Sequence, residues 1–289
     1  MKRIPAYALG GTVIGAALAL ALGGCSSAPK RPAEIFASRN AAERQLDLAN
    51  KEADRSRYDS ALEILKEVRR LAVSVDDPRL LIREAVTRGT VLYALGSTGE
   101  AAEVWAQALD EANTAKEEEL AGTVRLYMAK SRLLASPEAA GAVLEEARQE
   151  IARMRAEKLS IAFGWTVVGL ALKERGEWAE GEDAIKRALE IHEKNNYLEQ
   201  AAYDWYLIAS IRSVAGGYEG AVEALRNAIA FDRRSENTYG LAADWRALGD
   251  VYKKAGSLPE SRAAYRRSLD IFRSLDFEAE ADAVATKLS

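Results

Sequence analysis

From about residue 39 onward, apolar side chains recur at three- and four-residue steps, segment after segment. Leu241, Trp245, Leu248 and Tyr252 form one such stripe, which predicts an amphipathic helix with a single buried face. Gly256 ends it, and Ser257-Leu258-Pro259-Glu260 opens the next helix. Ser257 and Glu260 are spaced to cap free backbone N–H groups reciprocally, and Ser97-Thr98-Gly99-Glu100 offers the same box. Pro137 suits a first helical position, where its missing N–H costs nothing. Asp76-Asp77-Pro78 and Asn195-Asn196 mark further turns. No alternating, β-branched stretch of useful length occurs, so the pattern predicts helices and no sheet.

The helical pattern itself repeats. Gly96, Gly176, Gly216 and Gly256 fall on one grid of 40 residues, with Ser136 at the node that lacks a glycine. Ala61, Ala101, Gly141, Gly181, Ala221 and Ser261 fill a second column, and Val68, Ala108, Arg148, Ala188, Ala228 and Ser268 a third. Small residues at fixed columns are what close helix–helix contact requires, because a larger side chain would push the backbones apart. A fixed period of this size predicts a stacked-repeat protein. Phe277 to Leu288 reads as one extra helix, with Phe277, Ala281 and Val284 on one face to cap the last repeat.

These columns resemble the tetratricopeptide repeat. The match is closest in Trp245-x-x-Leu248-Gly249-x-x-Tyr252, followed by Ser261, Tyr265 and Ser268 where that family favours Ala, an aromatic and Ala. Trp165-x-x-Val168-Gly169-x-x-Leu172 and Trp205-x-x-Ile208-Ala209 head two more copies. Arg88-Gly89-x-x-Leu92 and Leu48-Ala49 head weaker ones, and the copy around Met128-Ala129 is the most degenerate. The resemblance covers about residues 41–275. It implies an all-α, right-handed superhelical solenoid of antiparallel helix pairs, about six repeats plus a C-terminal capping helix. The period departs from the family standard of about 34 residues. Six extra residues add roughly 1.7 helical turns, so a wider ribbon and a differently bent superhelix are expected.

The N-terminus carries a different pattern. Lys2 and Arg3 precede a 16-residue apolar core, Tyr7 to Leu22, and Leu22-Gly23-Gly24-Cys25 follows. The core is short of the roughly 20 residues that span a bilayer. The arrangement resembles a bacterial lipoprotein signal. The resemblance implies that residues 1–24 are a signal peptide removed on maturation and that Cys25 is lipidated. Two or more acyl chains, palmitate among them, then make stable membrane anchoring. Ser26, rather than Asp, favours the outer membrane over the inner. Cys25 is the only cysteine, so no disulfide framework is available. Residues 25–38, with Pro29, Lys30, Arg31 and Pro32, read as a flexible tether. Residues 39–275 are then the repeat array and 276–289 the capping helix.

Charge and chemistry narrow the function. Loss of Lys2 and Arg3 takes the net charge from −4 to −6, spread along the chain, with no basic footprint for nucleic acid. His192 is the only histidine, so two-histidine metal motifs cannot be built. It reads as an exposed structural histidine rather than part of a catalytic triad. No phosphate-binding loop is present, and no metal or cofactor is expected. Glu117-Glu118-Glu119 reads as a solvated run opening a helix. With 44 acidic residues, chance carboxylate pairs are inevitable, so they do not argue for an enzyme.

What remains is a surface. In the tetratricopeptide family the concave face is built mainly from the first helix of each repeat. Carried over column by column, that face holds Phe163, Thr166, Leu170 and Lys173 in one copy, and Tyr203, Tyr206, Ser210 and Ser213 in the next. The last copy supplies Arg246, Asp250 and Lys253, and an upstream copy Arg83, Val86, Thr90 and Tyr93. Tyr203 and Tyr206 stand out because a tyrosine offers a rigid ring with one polar tip. Packing against the neighbouring repeat is the competing role for them, and Trp165, Trp205 and Trp245 read as core. The expected function is a non-catalytic, lipid-anchored periplasmic adaptor in the cell envelope that binds a protein or peptide partner, with envelope assembly or secretion as its setting. The alternative is a small-ligand-binding accessory lipoprotein of a transport system. A cell-wall hydrolase would need two carboxylates facing each other in a cleft.

Overall fold

Thirteen α-helices and one short 3₁₀ turn make up the computed structural model, which describes residues 36–288; no strand occurs among them. The signal, Cys25 and all but the end of the tether lie outside the described residues. The helices pair in sequence. The pairs are α1 (Ala37–Asp54) with α2 (Tyr58–Ser74), α3 (Pro78–Ala94) with α4 (Thr98–Thr114), and α5 (Glu118–Ala135) with α6 (Ala140–Arg153). They continue with α7 (Lys158–Glu174) and α8 (Trp178–Lys194), α9 (Leu198–Val214) and α10 (Tyr218–Ser235), then α11 (Thr238–Lys254) and α12 (Leu258–Ser274). A last helix, α13 (Glu278–Leu288), covers the end of the sixth pair through Ala281 and Val284. The chain is an all-α helical solenoid.

The connections obey one rule. At Gly96, the backbone N–H bonds the Tyr93 carbonyl while Ser97 N–H bonds that of Leu92, the two-bond closure of a helix end by a left-handed residue. Gly176, Gly216 and Gly256 repeat it, each with a positive φ that glycine adopts without strain. The even-to-odd turns close identically, but around Asp76, Lys116, Asn196, Glu236 and Asp276. At Ser97 and Ser257, which bond back to the helix behind them, ψ is 55° and 69°, short of an extended cap. Ser97 and Ser257 therefore make no side-chain cap bond, and the expected capping boxes are absent. The side-chain caps are instead Asp77, accepting from Leu80 N–H, and Asn237, accepting from Gly240 N–H.

The degenerate copy breaks the rule. Ser136 is extended, Pro137–Ala139 is the 3₁₀ turn, and α6 is the shortest of the paired helices. After α6, Glu119 reaches across from α5 and accepts from the N–H groups of Arg155, Ala156 and Glu157. These bonds hold its carboxyl below the usual range. Glu119 is thus a cap supplied at a distance, not part of a solvated run, and Glu117 pairs with Arg79.

Within each pair the packing follows the small-residue columns. Gly249 lets the Tyr265 ring lie directly on α11, and Ser261 donates to the Gly249 carbonyl at 2.8 Å. Gly89 does the same for Trp105 and Gly169 for Ile185. Trp165, Trp205 and Trp245 pack against the core but are only half-buried. Arg187 lies 4.5 Å above Trp165 and Arg267 4.6 Å above Trp245.

Candidate binding surface

The odd-numbered helices lie side by side, α1 on α3, α3 on α5, α5 on α7 and α9 on α11, and together form the inner face. Along it runs a strip of rings. Tyr93 contacts Trp105, Trp105 contacts Tyr127, and Tyr127 stacks on Phe163 at 4.1 Å between centroids. Lys130 Nζ then sits 5.4 Å from the Phe163 ring and 5.6 Å from the Tyr203 ring, joining α7 to α9. Tyr203 stacks with Tyr206 at 6.2 Å. Tyr203 keeps 43% of its surface exposed, whereas Tyr206 packs against the core. Enclosure pushes the Tyr127 hydroxyl up to about 12.

The remaining groove columns divide. Between α9 and α11, Tyr206, Ser210, Ser213, Asp250 and Lys254 line a cleft of about 140 Å³. Asp250 is already engaged, accepting from the Tyr265 hydroxyl and from Lys287 Nζ of α13, both at 2.6 Å. Arg246 leans over Phe272 at 5.9 Å, and Lys253 is exposed. Lys173 lies 3.8 Å from Glu174. Ser213 is nearly buried and accepts from Lys254. Leu170 packs on the core and Val86 is buried, while Thr90 bonds the Val86 carbonyl and Arg83 is half-buried.

Thr166 does not belong to the surface. It is 3% exposed and donates to the Ala162 carbonyl. Near it lies a buried histidine–aspartate contact whose histidine the sequence placed wrongly. His192 is 5% exposed, not a surface residue, and its Nδ1 is 2.5 Å from Asp204 Oδ2. Burial raises the Asp204 carboxyl and His192 opposes the rise. No serine hydroxyl bonds this imidazole among the described residues, so the pair is a bridge between repeats. One repeat later, Asp232 and Asp244 occupy the same two positions, and burial raises both, Asp232 to about 7.

The array also touches itself across the inner face. Arg55 Nη2 donates to Glu199 Oε1 at 3.4 Å and to the Ser235 carbonyl at 3.3 Å, and Gln200 donates to Asp54 Oδ2 at 3.2 Å. Asp54 keeps solvent contact yet is surrounded by protein, and this enclosure together with Glu199 raises its carboxyl to about 7. Asp54 and Glu199 share a hydrogen bond, which is closer than the roughly 5 Å that two glycosidase carboxylates need. Asp232 and Asp244 are each 3% exposed and closed to a substrate. On the outer side, α2, α3 and α4 frame an open cleft of about 540 Å³ with charged walls, where Arg69 and Arg88 both bond the buried Glu84. No group of three or more His, Cys, Asp or Glu that could hold a metal occurs among the described residues, and none of their helices is long and apolar enough to cross a membrane.

Sequence reasoning missed Tyr127 and Lys130. Lys130 occupies the column of Leu170, Ser210 and Asp250, so aligning the degenerate copy would have found it. Tyr127 lies one position beyond a groove column and gave no signal.

No protein-family model matches the chain, and no curated relative does. Solved structures share its fold. A Rap protein complexed with Competence and Sporulation Factor matches with a TM-score of 0.59 at 18% identity, over 86% of this chain and 73% of that one. PlcR of Bacillus thuringiensis, in complex with the peptide PapR7 and DNA, matches with a TM-score of 0.56 at 12% identity, over 86% and 76%. TTC0263, a thermophilic TPR protein of Thermus thermophilus, matches with a TM-score of 0.50 at 19% identity, over 71% and 99%. At these identities the likeness is one of fold: a TPR-like helical solenoid.

Proposed function

We infer that the protein is a non-catalytic adaptor that holds a protein or peptide segment against the aromatic strip of its inner face. The observation that carries this is the run of Tyr127, Phe163, Tyr203 and Tyr206 on adjacent inner helices, with Tyr203 open to solvent beside the Lys130 ammonium. Rigid rings with polar tips bind extended chains at low entropic cost. PlcR, a solenoid of the same fold, was solved with a bound peptide, which supports the reading by analogy of architecture alone. In this account the array is built of 40-residue repeats. The signal is removed, acylated Cys25 holds the array at the outer membrane, and the array works in the periplasm. Basic, apolar and small-residue segments ending in cysteine are the support for that anchor. A small-ligand site is less well supported, because the inner cleft of about 140 Å³ is below the roughly 300 Å³ that ligand pockets start from, and the larger outer cleft of about 540 Å³ is open and walled by charged side chains.

The test is in-cell crosslinking followed by mass spectrometry, comparing wild type with Tyr203→Ala/Tyr206→Ala. One envelope protein captured by wild type and lost by the folded double variant is the expected result. Equal capture by both places the partner elsewhere and overturns the reading.

A further inference from the structure

In an array whose helices otherwise contact near neighbours, the bonds of Arg55 and Gln200 join residues 144 to 180 positions apart. They press the α1–α2 turn against the first turn of α9 and the end of α10. Ser56 faces the Tyr239 hydroxyl at the start of α11. The same turn stands beside the aromatic strip. Asp54 is near enough for its charge to be felt by Tyr127 and to be felt in turn from Lys130, and Gln200 lies one helical turn before Tyr203.

We propose that the α1–α2 turn is an autoinhibitory latch, closed over the aromatic strip in this structure and swung aside when a partner enters. The inference rests on the inner face being the binding surface. The contacts have the composition of something built to release. Arg55 makes two long bonds while its buried Nε has no partner. Asp54 and Glu199 are two carboxyls held together, which repel once both are ionised. Among the described residues, no apolar cluster joins α1 or α2 to α9 or α11. The first pair meets α3 through Ala42, Ala72 and Leu80, with Thr87 bonded to Asn50 and Arg69 to Glu84, so the movement is confined to the turn itself. Partly exposed polar contacts of this kind are individually weak, whereas separating two adjacent repeats exposes a continuous core.

The latch also senses pH. Asp54 is faced by Glu199 on α9, by Lys130 and Tyr127 on α5 and by Asp232 on α10, with Arg55 beside it. Its raised carboxyl carries a proton in the closed state below neutrality, and releasing that proton sets a second negative charge against Glu199. Closure is therefore favoured at lower pH and weakens as pH rises from about 4 toward about 7, above which it no longer changes.

Hydrogen exchange on the full chain tests this, comparing wild type with Arg55→Ala/Gln200→Ala and with Asp54→Asn. The double variant is expected to exchange about tenfold faster over residues 54–57 and 197–203, with α3 to α8 unchanged. In wild type, exchange there, corrected for intrinsic rate, should rise between about pH 4 and about pH 7, and Asp54→Asn should abolish the rise. The double variant should also capture more of the crosslinked partner. Unchanged exchange in the double variant overturns the latch, and faster exchange with equal capture overturns its gating role. Capture by neither form removes the adaptor reading instead, while the exchange data still decide whether the turn is a releasable latch.

Discussion

Placing an alanine methyl at Gly249 and at Gly99 should have opposite effects, for reasons visible in the packing. At Gly249 a Cβ would stand 2.5 Å from Cδ1 and Cε1 of Tyr265. That ring cannot step aside: it is 1% exposed, and Asp250 holds its hydroxyl at 2.6 Å. Overpacking of this kind costs about 1–3 kcal/mol. The intrinsic helical gain of Gly→Ala, about 1 kcal/mol, offsets part of it. The net expectation is destabilisation by about 1–2 kcal/mol. At Gly99, in the exposed first turn of α4, nothing lies within 4 Å of the new methyl, so Gly99→Ala keeps the helical gain and stabilises by up to about 1 kcal/mol. Denaturant unfolding followed by circular dichroism reads both, as a lower midpoint for Gly249→Ala and a higher one for Gly99→Ala. Shifts of the same sign, or a Gly249→Ala midpoint equal to wild type, would refute the claim that this glycine exists to admit the ring.

Other consequences are equally open to measurement. Glu236→Gly removes a strained left-handed side chain at a turn and should raise the unfolding midpoint, by about 0.5–1 kcal/mol in stability; a lower midpoint contradicts the turn geometry. Glu119→Ala strips the acceptor from three backbone N–H groups and should cost about 1–2 kcal/mol, with exchange rising at residues 155–157. Burial raises the carboxyls of Asp232 and Asp244 above their unfolded range, and enclosure together with the neighbouring Glu199 raises that of Asp54. Stability should therefore fall as pH rises from about 4 toward about 7, and Asp232→Asn should flatten that slope. Glu182 contributes in the opposite direction. Arg212 holds its carboxyl down to about 2, so that part of the stability is lost only in acid.

The sequence was most legible where chemistry forces a choice of residue. Gly96, Gly176, Gly216 and Gly256 each sit at a positive φ, so these four turns announced themselves. Asp76 and Asn196 were also marked as turns, but Lys116 and Glu236 adopt the same conformation without the residue type that advertises it. The small-residue columns were readable because the backbones really do close on them, as at Gly249 and Ser261. Phe163, Tyr203 and Tyr206 could be picked from their columns, but Thr166 could not be rejected. Whether an inner-helix residue faces solvent or the next repeat depends on a rotation of a few tens of degrees. His192 was misplaced for a related reason: its sequence neighbours are charged, while its spatial neighbour is a buried aspartate one helix away. The Arg55 contacts were invisible altogether. They depend on how far five pairs curl before the first turn meets α9, which is an accumulated angle and not a property of any motif.

The central claim is that a protein partner occupies the inner face. Its most direct test places a photocrosslinking amino acid at Tyr203 and, in a separate variant, at Trp178, which is 40% exposed at the start of an even-numbered helix. Irradiation in cells is expected to yield a discrete protein adduct from position 203 and none from 178. An adduct from 178 alone would place the partner on the other side of the array and contradict the claim.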